Sequence, residues 1–479
     1  MRLKTIPFLI VALAVVFTSC KKETLKNASE NSLKENAVHG YTVHASIRKL
    51  DNAGANNFNY EFTFWVSTDA QPLTALQLPA QLQLVGELSA GGTKEIKKLT
   101  LQTGTRVTRK IYRLTSPVSV IGKFSVPGLY QGKQINCTAT VIEQPYNLPA
   151  VAVQGTGFVD SEGKKFIPWG VNYTNGKTFL LMDNEWYDET DWQIIKQDFR
   201  EMKAMGLNIV RIHLQYKNFM TGVNTPNLQS LKRLKELIDF TATIGLYLDI
   251  TGLCSYLNED PAWYTNLDEA GRWATQALFW KAVARVAKGN NNVFCYNLIN
   301  EPVTPTSATT IWLPGEAFGG LYYYVQHITR QPAGRSWTAI TSAWISKLKS
   351  AIREEDNRTL VTVGFIGLGK ISYFNDLLDY NSIHIYPKSN TITQSLNIIK
   401  SSQSDKPLVV EETSWEAGYD NMRLFINTTQ NDGLTVGYMA HYHGETIEDL
   451  EKQSGMGPAI QREWYKIFMF ELNPNFNKP

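Results

Sequence analysis

The sequence contains few cysteines, and they are scattered. Four occur in 479 residues, at positions 20, 137, 254 and 295, with no C-x-x-C pair and no spacing typical of metal ligands. This pattern argues against a disulfide framework, a zinc-binding module and a thiol redox motif, so the hydrophobic core must stabilise the folded protein. The chain is long enough for a sizeable core and exceeds one ordinary domain, which favours two domains.

An excess of either charge is also absent. The 47 lysines and arginines nearly balance the 44 aspartates and glutamates, and part of the formal net charge of +3 lies within residues 1–4. A nucleic-acid-binding surface needs a strong excess of positive charge, so we expect no nucleic acid partner.

No apolar run is long enough to cross a bilayer. Residues 7–17 are almost wholly apolar but too short, and they stand between a basic segment, residues 1–4, and the pair Ser19-Cys20. This order predicts a lipoprotein signal peptide over residues 1–19; an ordinary cleaved signal and an uncleaved anchor are the alternatives. Cys20 would become the acylated first residue of the mature chain, followed by a flexible tether over residues 20–39. We therefore expect a protein of the cell envelope, anchored by lipid to a bacterial membrane, in the outer membrane facing the periplasm or the surface.

Residues 40–148 have the composition of an all-β domain. Segments 41–47, 59–66 and 134–141 are rich in β-branched and aromatic residues, and Gly, Pro and Asn separate them. This pattern predicts a small immunoglobulin-like β-sandwich. Its aromatic side chains could stack on sugar rings, but such side chains more often form a core, so we interpret the domain as a spacer.

Residues 149–479 alternate between short apolar strands and amphipathic helices. Eight strand and helix units follow one another, from a strand at 166–172 to a closing helix at 459–472. Eight units predict an α/β fold of the (β/α)8 or TIM barrel type. An open doubly wound sheet is the alternative, which is disfavoured because no glycine-rich phosphate loop follows the first strand.

Glutamates stand where two of the predicted barrel strands end. Glu301 follows the segment 296–300, and Glu411 and Glu412 follow the segment 407–410. The carboxyl ends of barrel strands meet on the face that carries active sites. Cleavage of a glycosidic bond requires two carboxyl groups, one to protonate the leaving oxygen and one to attack or to activate water. The alternation of side chains along a strand does not decide between Glu411 and Glu412.

Five motifs in order connect this chain to a known family. They are FIPWGVN at 166–172, GLNIVRI at 206–212, NEP at 300–302, HIY at 384–386 and the strand that ends in Glu412. With them the chain resembles glycoside hydrolase family five over residues 155–472. The resemblance implies that Glu301 is the general acid and base and that Glu412, rather than Glu411, is the nucleophile.

The resemblance also implies residues that bind the sugar around the two glutamates. Asn300 would bind the hydroxyl next to the anomeric carbon, and Arg211 and Tyr386 would hold Glu412 ionised and oriented. His384 would line the same subsite. For His213, a sugar contact and a buried structural role are equally open.

The chain departs from the family pattern in places that concern the substrate. Thr413 and Ser414 follow the expected nucleophile where the family has an aromatic residue and glycine, and residues 437–444 contain no tryptophan to floor the sugar subsite. Trp415, His441 or Tyr442 could take over that floor. An aromatic-rich insertion at 303–324 could wall the cleft or pack on its own barrel.

We expect a retaining β-glycosidase that hydrolyses a β-linked glucan or mannan by double displacement. It would act as a monomer and need neither a metal nor an organic cofactor. A non-catalytic carbohydrate-binding lipoprotein is the alternative from another class, although pure binding requires no pair of carboxyl groups. A transglycosylase on the same scaffold is a closer alternative, which product analysis would separate.

Overall fold

A computed structural model describes residues 147–475, apart from 176–177, 259, 316–324, 368–370 and 389–390, together with the backbone of eight strands between residues 41 and 142. The predicted signal peptide, Cys20 and the tether lie outside the described residues. Within the described part of the chain, no helix has the length and apolar character needed to span a membrane.

The strands between residues 41 and 142 form two four-stranded sheets. One sheet has the order Val107–Leu114, Phe58–Thr68, Tyr41–Asn52 and Val141–Ile142, and the other Thr93–Thr100, Gln83–Ala90, Ile121–Val126 and Ile135–Ala139. Neighbours are antiparallel, except that Val141–Ile142 runs parallel to Tyr41–Asn52. The described residues between 41 and 142 all lie in strands, and an immunoglobulin-like sandwich with boundaries 40–148 stays a prediction.

Eight parallel strands close into a barrel, which confirms the predicted (β/α)8 fold. In chain order they are β1 (Trp169–Tyr173), β2 (Ile209–Gln215), β3 (Tyr247–Cys254), β4 (Val293–Asn300), β5 (Leu360–Ile366), β6 (Asn381–His384), β7 (Leu408–Glu412) and β8 (Gly437–Tyr442). Strand β8 pairs with β1 and closes the ring. Most strand residues are buried because the strands are covered by helices outside and by side chains inside.

Helices connect most of the strands. The longer ones are Glu189–Ala204, Leu228–Ile244, Glu269–Ala287, Trp337–Arg353, Ile392–Ser401, Tyr419–Asn431 and Met456–Tyr465, the last continuing as a π-helix over Lys466–Glu471. Shorter helices are Tyr216–Phe219, Ala262–Thr265 and Ile447–Glu451, and one-turn 3₁₀ helices cover Met182–Asn184, Tyr256–Asn258 and Ile371–Phe374. The last of these turns lies in the connection between β5 and β6.

The amino end of the barrel is closed by a small antiparallel sheet. Its strands are Val151–Gln154, Gly157–Asp160 and Lys165–Phe166. Phe158 is buried there, with its ring centroid 5.2 Å from that of Phe294 and 5.3 Å from that of Tyr380. The single strand expected at 166–172 is therefore two strands, since Pro168, which lacks a backbone N–H, separates Lys165–Phe166 from β1.

Two short strand pairs lie in the loops of the barrel. Met220–Gly222 pairs with Thr225–Pro226 before the helix Leu228–Ile244. Pro302–Val303 pairs with Gln326–His327 and so ties both ends of the insertion after Glu301 to each other. The loop after β4 is thereby held on the carboxyl face of the barrel.

Candidate active site

Glu301 and Glu412 meet at the carboxyl end of the barrel. One carboxylate oxygen of each glutamate and a ring nitrogen of His384 all lie within 4.8 Å of one another. His384 Nδ1 is 2.9 Å from Glu301 Oε1 and 3.5 Å from Glu412 Oε2. The histidine on β6 therefore bridges the ends of β4 and β7.

Glu412 is held from both sides by donors. Arg211 Nη1 donates to Glu412 Oε1 at 2.6 Å, and the Tyr386 hydroxyl donates to Glu412 Oε2 at 2.6 Å. Burial alone would raise the pKa of Glu412, but the neighbouring His384 and Arg211 together hold that pKa well below its usual range. The carboxylate is therefore ionised at neutral pH and fixed in orientation.

Arg211 is fully buried and organises several strand ends at once. Besides Glu412 it donates from Nη1 to Asn172 Oδ1 at 2.7 Å and from Nη2 to Asn300 Oδ1 at 3.0 Å. The anionic neighbours raise the pKa of Arg211 despite its burial, so the guanidinium stays charged. The structure thus places Arg211 against Glu412 and Asn300 against Arg211, while the expected contact of Asn300 with a sugar hydroxyl stays a prediction.

A β-bulge settles where Glu411 and Glu412 point. Ile383 pairs with Val410, but the next residue, His384, pairs with Glu412, so one residue of β7 is skipped. Because of this shift both glutamates face inward. Glu411 lies deeper and accepts hydrogen bonds from Asn297 Nδ2 at 2.6 Å and the Tyr380 hydroxyl at 2.8 Å. The geometry therefore favours Glu412, not Glu411, as the partner of Glu301.

Glu301 has an unusual backbone conformation. Its φ of 48° lies in the left-handed region, which side chains of this size rarely adopt. The conformation is held by hydrogen bonds from Glu301 N to Gly364 O at 2.9 Å and from Gln326 N to Glu301 O at 3.2 Å. A strained residue kept in place in this way is typical of functional sites.

His213 and His441 also lie at this end of the barrel. His213 is buried, and its Nδ1 has no hydrogen-bond partner. His441 Nε2 is 3.2 Å from the Tyr386 hydroxyl. Burial lowers the pKa of both histidines, so both are neutral at pH 7 and can donate or accept one hydrogen bond to a bound molecule.

Trp415 occupies a different position from the two glutamates. It lines an open cleft of about 630 Å³ together with Lys388, Glu416, Tyr419 and Ile460, a lining that includes neither Glu301 nor Glu412. The indole is therefore placed beside a groove rather than against the carboxylate pair. Its role as the floor of the reacting subsite stays a prediction.

Trp312, in the insertion after Glu301, packs against its own barrel. It is 3 % exposed, and the guanidinium carbons of Arg272 and Arg330 lie 4.4 Å and 4.5 Å from its ring centroid. Its indole N–H donates to Thr265 O at 3.0 Å. Both faces of the ring are thus in use, so this tryptophan does not wall the cleft; residues 316–324 of the insertion lie outside the described part.

Two residues at the site were not assigned from the sequence. Asn172, at the end of β1, accepts from Arg211 and donates from Nδ2 to Glu411 O at 2.7 Å. Gly364, near the end of β5, leaves no room for a side chain, since a Cβ there would lie 2.6 Å from His384 Nε2 and 2.9 Å from Arg211 Nη2. A polar residue or a glycine at a strand's carboxyl end was the available signal in both cases.

The spacing of Glu301, His384 and Glu412 is also one that metal ligands adopt. However, both oxygens of Glu412 already accept hydrogen bonds, one of them from a charged guanidinium. A cation would have to compete with Arg211 for the same carboxylate. The donor set fits proton transfer and sugar binding better than it fits a metal ion.

Comparisons with known proteins identify the family of the chain. The family model described as Cellulase (glycosyl hydrolase family 5) matches residues 159–453. A search of curated protein sequences finds no match. Among solved structures, an exo-β-1,4-mannosidase from the Opitutaceae bacterium strain TAV5 is similar with a TM-score of 0.50 and 17% identity, over 66% of this chain and 61% of that one.

Other similar structures come from further glycosidases. A β-1,4-mannanase from the common sea hare Aplysia kurodai has a TM-score of 0.47 and 15% identity, over 66% of this chain and 95% of that one. At these identities the likeness concerns the fold. The chain spans about three fifths of the length of the Opitutaceae mannosidase. Because the family model covers more than half of its residues, the chain belongs to glycosyl hydrolase family 5.

Proposed function

We propose that the protein is a retaining β-glycosidase that works by double displacement. The observation that carries this proposal is the separation of the carboxylate oxygens of Glu301 and Glu412, which is within 4.8 Å. Retaining glycosidases hold their carboxyl groups about 5 Å apart, whereas inverting enzymes need roughly 6.5 to 9.5 Å to admit a water molecule.

In this proposal the two glutamates have different roles, Glu412 as the nucleophile and Glu301 as the general acid and base. Glu412, kept ionised by Arg211, attacks the anomeric carbon and forms a covalent ester with the sugar, while the bond from that carbon to the leaving oxygen breaks. Glu301 gives its proton to the leaving oxygen. In the second step Glu301 takes a proton from water, the water oxygen attacks the anomeric carbon, and Glu412 is released.

Buried polar atoms without partners are available for the sugar hydroxyls. Among the described residues near the pair, His213 Nδ1, Thr413 Oγ1 and Ser414 Oγ have no hydrogen-bond partner within the protein. Leaving such atoms unpaired costs about 1 to 3 kcal/mol each, so a ligand that pairs them binds more tightly. Together with Asn300 they would orient the ring over Glu412.

A row of rings leads away from Glu412 along the rim. Ring centroids of Tyr386 and His441 are 6.5 Å apart, those of His441 and His443 6.0 Å, and those of His443 and Phe179 5.8 Å. Phe179 at the end of the row is 53 % exposed. This row suits the alternating apolar and polar faces of a β-linked glucan or mannan, the substrate class we propose.

Two experiments test the mechanism and its alternatives. Proton NMR of the first product should show the anomer with the configuration of the substrate; the opposite anomer would rule out double displacement. A 2-deoxy-2-fluoro glycoside should leave a sugar ester on the peptide that contains Glu412, located by mass spectrometry. Binding of glycans without any turnover would favour the carbohydrate-binding alternative, and longer products at high substrate concentration would favour transglycosylation.

We also propose that the enzyme is a monomer anchored through lipid on Cys20 to the membrane of the cell envelope. The support is the order of basic, apolar and small residues before that cysteine. Labelling with a fatty acid in a bacterial host should mark the wild type and not Cys20→Ser, which should leave the membrane fraction. An unlabelled wild-type protein would contradict the anchor.

A further inference from the structure

Two carboxyl groups that the reaction does not use lie beneath the nucleophile. Asp249 on β3 and Glu411 on β7 are both completely buried. After burial, the charge of Glu411 is the main cause that raises the pKa of Asp249. Both acids also face Arg211 Nε, Glu411 Oε2 at 3.7 Å and Asp249 Oδ2 at 4.0 Å. One guanidinium therefore stands between this pair on one side and Glu412 on the other.

The charges in this cluster do not balance if every acid is ionised. Asp249, Glu411 and Glu412 would then carry three negative charges against the single positive charge of Arg211. Two ionised carboxylates in contact in a dry interior repel strongly, and such a pair holds one proton between them. The cluster with one shared proton carries one negative charge fewer.

The remaining contacts indicate how that proton is accommodated. Glu411 accepts from Asn297 and Tyr380, which stabilises its charged form. Asp249 accepts a longer bond, 3.2 Å, from its strand neighbour Thr251 and faces Cys295 of β4. Burial, and then the charge of Glu411, raise the pKa of Asp249 far above its usual value, with Arg211 opposing. Asp249 is thus the natural holder of the proton.

We propose that Asp249 and Glu411 share one proton and act as positioning residues that set the charge Arg211 presents to Glu412. Glu411 holds the Nε side of the guanidinium, so that Nη1 is aimed at the nucleophile. The role for Glu412 rests on the proposed function. The shared proton does not, because it is a property of the folded protein.

The stability of variants measures the shared proton without any substrate. A pair that keeps a proton to high pH makes the folded state bind more protons than the unfolded chain, so the wild type loses stability as pH rises above the ordinary carboxyl range near pH 4. Asp249→Asn removes that proton. We therefore compare the equilibrium constants for unfolding of the two proteins. The ratio of the wild-type constant to the Asp249→Asn constant should rise from pH 5 to 8, by up to about tenfold per pH unit. Glu411→Gln breaks the same pair and should show the same trend, which covers the case in which Asp249→Asn does not fold.

A matched control is a buried acid whose partners favour its charged form. Asp356 accepts from Tyr296 and Thr359, and these hydrogen bonds outweigh its burial and lower its pKa. The same ratio measured for Asp356→Asn should be constant from pH 5 to 8, and this variant should keep the wild-type activity. A constant or falling ratio for both Asp249→Asn and Glu411→Gln would mean that both acids are ionised beside Arg211, which overturns the shared proton.

The positioning role is tested by the pH profile of kcat/KM. In Glu411→Gln the negative charge beside Arg211 Nε passes from Glu411 to Asp249, and the guanidinium loses the carboxylate that aims Nη1 at Glu412. Glu412 is then held less firmly in its ionised form, so the acid limb should move to higher pH and kcat/KM should fall about tenfold. An unchanged limb and an unchanged kcat/KM would overturn this role even if the stability data support the shared proton. If the protein turned over no glycan at all, the proposed function would fail and the stability comparison would still decide on the proton.

Discussion

At the amino end of the barrel, Phe158 packs against the rings of Phe294 and Tyr380; at the carboxyl end, Arg211 is surrounded by carboxyl and amide groups. At the amino end a small sheet covers the barrel, and the buried rings make apolar contacts. The carboxyl end contains a residue with a left-handed backbone and buried polar atoms without partners. The amino ends of the strands are therefore well packed, whereas their carboxyl ends keep strained and unpaired polar groups of the kind found at functional sites.

The largest expected effect is a loss of activity on substitution of either glutamate at the carboxyl end of the barrel. Glu301→Gln should lower kcat by about 10²- to 10⁴-fold because the leaving oxygen loses its proton donor. Glu412→Gln should lose at least as much because no nucleophile remains. Steady-state kinetics on a soluble β-glucan or β-mannan measure both. Glu162→Gln, exposed in the amino-end sheet, is the control and should keep the wild-type kcat; a loss of less than tenfold in either site variant would reject that glutamate's role.

A substitution in the core at the amino end of the barrel should change stability and leave activity unchanged. Phe158→Ala should lower the free energy of unfolding by about 3 to 5 kcal/mol, because a buried aromatic ring is lost and a cavity remains. Below its unfolding temperature the variant should retain kcat, since the site lies at the other end of the strands. Urea unfolding followed by tryptophan fluorescence gives the first quantity. A large loss of kcat in folded protein would show that the two ends are coupled.

Gly364→Ala should have a smaller effect, and it acts at the site. The added Cβ would displace the His384 ring and the end of the Arg211 side chain, an overpacking that costs about 1 to 3 kcal/mol. We expect a fall in kcat of about tenfold or more with a folded barrel. Gly170→Ala is the contrast, because its Cβ would lie 2.3 Å from the backbone oxygen of Ile209 and the barrel itself should fail to form. Equal loss of folding in both variants would contradict the distinction.

The smallest expected effect concerns the cleft beside the site. If long glycans extend over Trp415, Trp415→Leu should raise KM for a polysaccharide about two- to tenfold, the range of one aromatic contact. KM for a short aryl glycoside should stay the same. Tyr373→Leu, another exposed aromatic position that the cleft lining does not include, serves as the control. An equal change for both substrates would assign Trp415 to the reacting subsite after all.

Much of the barrel could be predicted because its signals are local. Apolar strands and amphipathic helices alternate regularly, and strand ends fall where the apolar runs stop, so Glu301, Glu412, Arg211 and Tyr386 could be placed on one face. The helix Glu189–Ala204, for example, begins after Asp188, a residue type that commonly caps helices, whose side chain accepts from Thr190 N and Asp191 N.

What could not be predicted depends on pairing between distant strands. The choice between Glu411 and Glu412 rests on a bulge against β6, which alternation along β7 alone does not reveal. The contacts of Trp312 depend on two arginines far away in sequence. Asp249 reads as an ordinary strand residue until Glu411 is brought against it. Each of these features arises from barrel closure, not from a local pattern.

The backbone of Glu301 has a consequence for how this enzyme can change over time. Glycine adopts a positive φ without steric cost, so glycine at position 301 would be less strained than glutamate. Glycine has no carboxyl group, however, and could not donate a proton. Selection for heat resistance alone would therefore favour loss of the acid, and only continued selection for turnover keeps it. In a catalytically inactive relative that kept the barrel and only bound glycans, we expect position 301 to be among the first to change to glycine.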